Sequence, residues 1–112
     1  MLAPAAHYPS LHKREELEIL ASLLIREHLA DSAFSLEELA QTLCMSPRSL
    51  QRKLAVQGLS FSVLRDRERA RVVTEKMEAG MSKEAIGALL GYTDLSSIYK
   101  FLAKNPPLEH DV

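Results

Sequence analysis

The sequence predicts an all-α fold in which two helix-turn-helix units are joined by a long connecting helix. Three observations carry that reading. Apolar residues recur at helical spacing in successive segments, and no stretch sustains the two-residue alternation of a strand. Capping residues stand just ahead of several of those segments. The segment from Ser35 to Ala55 also recurs, in outline, from Ser82 to Ala103.

Residues 1–10 are rich in Ala and Pro and read as a leader or linker remnant, with Pro9-Ser10 as the entry to a helix. Leu17, Leu20, Ala21 and Leu24 then fall at i, i+3, i+4 and i+7, one face of an amphipathic helix ending near Leu29 to Asp31. Ser35-Leu36-Glu37-Glu38 is a capping box opening a second helix that carries Leu36, Leu39, Ala40 and Leu43. Cys44-Met45 interrupts it. Ser46 then caps the next helix, with Pro47 at its first position, where a missing N–H costs nothing. Leu50 and Leu54 are its buried side, and Arg48, Gln51, Arg52 and Lys53 face outward.

After Gly58 the chain runs from Ser60 to Glu78 without a breaker, a connecting helix expected to bury Phe61, Leu64, Val72, Val73 and Met77 and to expose the arginines between them. Ala79-Gly80 ends it. Ser82 caps a helix with Ile86, Leu89 and Leu90 on one face, and the turn Gly91 to Asp94 leads into a last helix bearing Ile98, Phe101 and Leu102. The domain is therefore assigned to residues 11–104, with an atypical tail at 105–112.

At 112 residues the chain has room for one domain. No apolar run approaches the ~20 residues of a membrane span, the start lacks a secretory signal, and one cysteine cannot form an internal disulfide. A cytoplasmic location is expected. The net charge of −1 conceals a split: from Ser46 to Lys76 eight basic residues stand against three acidic ones, while Glu15, Glu16, Glu18, Glu27, Asp31, Glu37 and Glu38 precede them. Attraction to phosphate would be local.

The internal repeat carries the functional argument. Ser35 matches Ser82, Leu39 matches Ile86, Ala40 matches Gly87, Leu43 matches Leu90 and Cys44 matches Gly91. One residue later in register, Leu50 matches Ile98, Arg52 matches Lys100, Leu54 matches Leu102 and Ala55 matches Ala103. Each unit has a small residue that lets two short helices cross closely, and apolar pairs that lock their angle. A helix held out in this way fits the major groove of B-DNA, roughly 12 Å wide. Arg can donate two hydrogen bonds to guanine O6 and N7, and Gln can pair with adenine N6 and N7. Ser96, Tyr99 and Lys100, at the equivalent positions of the second unit, offer phosphate or sugar contacts.

The run Ser35-Leu36-Glu37-Glu38-Leu39-Ala40, then Met45-Ser46-Pro47-Arg48-Ser49-Leu50-Gln51-Arg52-Lys53-Leu54, then Gly58 and Phe61, resembles the first helix-turn-helix of AraC/XylS transcription regulators. Ile86, Leu89-Leu90-Gly91-Tyr92-Thr93-Asp94 and Ser97 are similar to that family's second unit. The resemblance spans Leu17 to Lys104. It implies a homeodomain-like, AraC-type double helix-turn-helix domain whose two recognition helices enter successive major grooves. It places Arg48, Gln51 and Arg52 at bases in the first groove, with Ser46 and Lys53 in the DNA-contact set, and Ser96, Tyr99 and Lys100 in the second. Double-stranded DNA is the expected partner and RNA polymerase a further candidate. No membrane, cofactor, metal or small-molecule site is expected in this chain.

Two departures from that pattern stand out. Cys44 occupies a turn position where glycine is common, and a positive φ there would cost ~1 kcal/mol. The tail Lys104-Asn105-Pro106-Pro107-Leu108-Glu109-His110-Asp111-Val112 replaces the family's closing helix, which leaves the second unit less well supported. A truncated or degenerate regulator fragment acting through protein contacts without operator binding is the alternative function, and a helical bundle using such corners only for packing is the alternative architecture. Arg65, Arg67, Arg69 and Arg71 read as solvated or paired with Asp66 and Glu68, and Tyr99 as either core or contact. Catalysis is not expected: His7, His12, His28 and His110 lack metal-ligand spacing, no phosphate loop follows a strand, and Cys44 has no activating neighbour and reads as a structural thiol.

Overall fold

A computed structural model describes residues 14–92 and 94–104 of the chain. Among the described residues there are six helices and no strand: α1 (Arg14–Glu27), α2 (Leu36–Thr42), α3 (Pro47–Val56), α4 (Phe61–Glu78), α5 (Lys83–Leu89) and α6 (Leu95–Lys104). None is long and apolar enough to cross a membrane. The expected leader, helix entry at Pro9-Ser10 and tail lie outside the described residues.

The starts follow from the caps. Ser35, Ser46, Ser60 and Ser82 each adopt an extended backbone and accept a hydrogen bond from the N–H three residues on, at 3.1 to 3.3 Å. Each such cap stabilises its helix by ~1 kcal/mol. Of the capping box, the bond from Glu38 N–H to the Ser35 hydroxyl forms among the described residues, and no return bond from the Glu38 carboxylate does.

The stops follow from one motif used four times. After α2, α3, α4 and α5 the residue beyond the C-cap turns to positive φ: Cys44 at 57°, Gly58 at 74°, Gly80 at 89° and Gly91 at 84°. The next residue, Met45, Leu59, Met81 or Tyr92, returns its N–H to the helix and sets its side chain against the core. Cys44 therefore takes the strained conformation. It is also exposed rather than packed as a structural thiol, because its turn points away from the core.

α1 packs along α4, α2 against α3, α5 against α6, and α4 against α5. Glu18 pairs with Arg67 at 2.6 Å and Arg26 with Glu75, the same interval further along both helices, so α1 and α4 run in the same direction. One core runs through the whole: Leu17, Ala21 and Ile25 of α1, Leu39 of α2, Leu50 and Leu54 of α3, Leu64 and Val73 of α4, Ile86 of α5 and Ile98 of α6 are all buried. Burying each large side chain contributes about 1.5 to 3 kcal/mol.

α1 ends as an α-helix at Glu27, and the chain then tightens into shorter-range turns through Asp31. There His28 stacks on Phe34 with ring centroids 4.2 Å apart. Met77 and Leu89, expected in the core, are exposed. Met77 lies on the last turn of α4 beside exposed Glu75, Glu78 and Ala79, beyond the packed part of that helix. Leu89 sits at the edge of the buried Ile86, Gly87 and Leu90 face of α5.

Candidate nucleic-acid interface

The helix pairs α2–α3 and α5–α6 repeat in the register of the sequence. α2 and α5 have seven residues each and lie 47 positions apart; α3 and α6 have ten each and lie 48 apart. The inserted residue falls between Tyr92 and the α6 cap residue, Asp94. In the first pair Ala40 is fully buried where the second has buried Gly87. A methyl added to Gly87 would meet Ile98 Cβ at 3.5 Å, ordinary contact, so alanine and glycine suit this crossing equally.

The two turns differ at their left-handed residue. A Cβ on Gly91 would come within 2.8 Å of the Ala30 carbonyl oxygen, so any side chain there would force the backbone at Ala30 to shift. Cys44 faces solvent, so its turn admits a side chain and bears only the conformational cost.

On α3, Leu50 and Leu54 are fully buried, which fixes the helix's rotation. Arg48, Gln51 and Arg52 fall at i, i+3 and i+4 on the opposite side and all are exposed. Ala55 continues that stripe and Lys53 lies beside it, both exposed. Ser46 is exposed, and its Oγ accepts from Ser49 N at 3.1 Å while keeping its own O–H available. No acidic residue occupies the first turn. Arg48 there opposes the helix dipole, a local cost of about 0.3 to 1 kcal/mol that packing does not explain.

The arginines of α4 are used differently. Arg67 reaches Glu18, Arg69 reaches Asp66 at 3.6 Å, and Arg71 holds buried Glu68 at 2.8 Å. Arg65 lies over the Phe61 ring and Arg69 over the Tyr92 ring, at 5.5 and 5.3 Å. Expected to be exposed, Arg65, Arg67 and Arg69 are half-buried instead, because aromatic rings and α1 cover them; Arg71 remains exposed. The sequence offered no sign that Glu18, far along the chain, would serve as a partner, or that Glu68 would be buried. With that charge compensated, the basic surplus concentrates on α3, whose Arg48, Arg52 and Lys53 form no ion pair among the described residues.

On α6, Ser96, Tyr99 and Lys100 are all exposed, which resolves Tyr99 as a surface residue. Lys83 Nζ sits 5.4 Å from its ring centre. Ser96 donates its hydroxyl hydrogen to Asp94 Oδ1 at 2.8 Å, and Ser97 N–H donates to the same oxygen at 2.8 Å. The Ser96 hydrogen bond foremost, with those from Ser97, holds the Asp94 carboxyl below its ordinary range. An ionised carboxylate thus stands at the start of α6, where α3 has only the neutral Ser46. The position of Lys53 is taken by Phe101, buried against Tyr92 with ring centroids 6.1 Å apart, and Leu102 is half-buried where Leu54 is fully buried. Asp94, which the sequence places in the turn leading into the last helix but not among the contact candidates, caps α6 by accepting the Ser97 N–H three residues on.

Among the described residues no group of His, Cys, Asp or Glu could hold a metal ion. Over 76 residues, 67% of its length, the chain is 38% identical to the HTH-type transcriptional regulator VirS of Mycobacterium tuberculosis, in each of two strains. The match covers 22% of that protein, so the chain spans about a fifth of the length of the curated relatives it matches. No family model matches the chain. No solved structure matches it either.

Proposed function

We propose that the chain is a sequence-specific DNA-binding module of a transcription regulator of the AraC/XylS type, in which α2–α3 and α5–α6 serve as two helix-turn-helix units. The observation that carries this reading is the outer face of α3. Arg48, Gln51 and Arg52 share one exposed stripe, free of acidic residues, on a helix whose opposite side is locked by Leu50 and Leu54. Likeness to an HTH-type transcriptional regulator over two thirds of the chain supports it.

In this reading α3 lies in a major groove. Arg48 and Arg52 donate in pairs to guanine, Gln51 pairs with adenine, and Ala55 offers its methyl to thymine. Ser46 and Lys53, at the start and flank of the helix, touch phosphate and set the register. The second unit contributes mainly backbone contacts through Lys100 and Tyr99. Its Ser96 hydroxyl hydrogen is already given to Asp94, and the Asp94 carboxylate repels phosphate at the helix start. Selectivity therefore resides chiefly in α3, and the preferred site is one short half-site.

A gel shift on a pool of random duplexes at varied salt tests the proposal. Selective enrichment of a common short sequence is expected. No shift at any salt would refute it and favour a fragment that acts through protein contacts.

A further inference from the structure

The outer face of α1 takes no part in the DNA reading, and its residues have an order that calls for explanation. Glu16, Ile19, Leu23 and Arg26 stand at intervals of three, four and three, which places all four on one stripe of the helix. Leu17, Ala21 and Ile25 hold the opposite side in the core. Ile19 and Leu23 are 59% and 55% exposed and stand one turn apart, so they form a continuous apolar pair on the surface. They also form one lip of a groove of about 180 Å³ between α1 and α4.

The stripe is complementary to itself. When two copies of α1 lie antiparallel with Ile19 facing Leu23 of the other copy, the same register sets Glu16 opposite Arg26 at both ends. Apolar residues occupy the centre and opposite charges the flanks, as an isologous two-fold contact requires. A shift of register or a parallel arrangement loses one or both of these matches.

We infer that α1 is a self-association surface, through which two copies of this chain pair antiparallel across Ile19 and Leu23 with Glu16 and Arg26 clasping at the ends. The inference does not depend on the DNA reading. A 14-residue helix is about 21 Å long. The contact therefore falls in the small, transient class, below about 1,200 Å², and forms at high protein concentration or when something else holds two copies close.

Sedimentation of the full chain from about 10 µM to about 1 mM, a range suited to weak association, is expected to show the mass rising from 12.5 kDa toward that of a dimer. Leu23→Glu abolishes the rise. Glu16→Arg weakens association about fivefold or more at low salt, and Glu16→Arg with Arg26→Glu restores it. Because Arg26 also pairs with Glu75, a second measurement fixes the register without that substitution. In a Cys44→Gly background, Ile19→Cys protein mixed with Leu23→Cys protein is expected to form a disulfide-linked heterodimer on air oxidation, at several times the yield of either alone. A monomer throughout the concentration range overturns the inference, as does a dimer indifferent to Leu23→Glu or equal cross-linking of like and unlike partners.

Discussion

Replacing Gly91 and Gly58 separately by alanine measures how tightly the second turn is docked on the rest of the fold. Both glycines close a helix at positive φ, 84° and 74°. Alanine at either position pays the left-handed penalty of about 1 to 2 kcal/mol, reduced by the 0.4 to 1 kcal/mol or so that a stiffer unfolded chain returns. Gly58→Ala therefore costs about 1 kcal/mol, since nothing lies within 4 Å of the added methyl. Gly91→Ala adds contacts of 2.8, 3.1 and 3.2 Å with the Ala30 backbone, which cannot swing aside as a flexible side chain would. Overpacking of that kind costs about 1 to 3 kcal/mol more. At about 4 to 8 °C per kcal/mol for a domain this small, thermal melts followed by circular dichroism should place Gly91→Ala at least twice as far below wild type as Gly58→Ala. Equal losses would show that the turn after α5 does not lean on Ala30, and the account of why Gly91 and Cys44 differ would fall.

The same reasoning predicts that Cys44→Gly raises stability by about 1 kcal/mol, because glycine removes the left-handed penalty at an exposed site; an unchanged or lower melting temperature would count against it. Leu50→Ala, at a fully buried position, should cost about 2 to 5 kcal/mol in chemical denaturation, and a loss under 1 kcal/mol or so would contradict its place between α2 and α3. Asp94 has a lowered pKa, so its contribution is complete above the ordinary carboxylate value near 3.8 and is lost as pH falls through the lower folded value. NMR titration of its carboxyl should give a midpoint below 3.8, and Ser96→Ala should move that midpoint upward; a midpoint at the ordinary value in wild type would remove the cap.

The elements were legible in the sequence because their signals are local. Serine caps, helix-stopping turns and the spacing of Leu39, Leu50 and Leu54 each depend on neighbours within a turn or two, and the repeat supplied a second copy of the same evidence. Outward placement of Arg48, Gln51 and Arg52 followed from the burial of Leu50 and Leu54. What escaped the sequence depends on tertiary distance. Nothing near Arg67 points to Glu18, nothing near Gly91 to Ala30, and the pairing of Glu68 with Arg71 does not announce that Glu68 is buried. Met77 and Leu89 fit an apolar pattern, yet they fall at the end and the edge of the packed faces, where periodicity alone cannot tell cover from solvent.

The most direct test of base reading by α3 compares Arg52→Ala with wild type on the duplex recovered by selection, on single-base variants of it, and on random DNA. The account predicts a loss of about 1 to 3 kcal/mol on the selected site, confined to one base pair whose identity the variant no longer distinguishes, with a much smaller loss on random DNA. Equal losses on selected and random duplexes would contradict it, and would mean that Arg52 touches only phosphate.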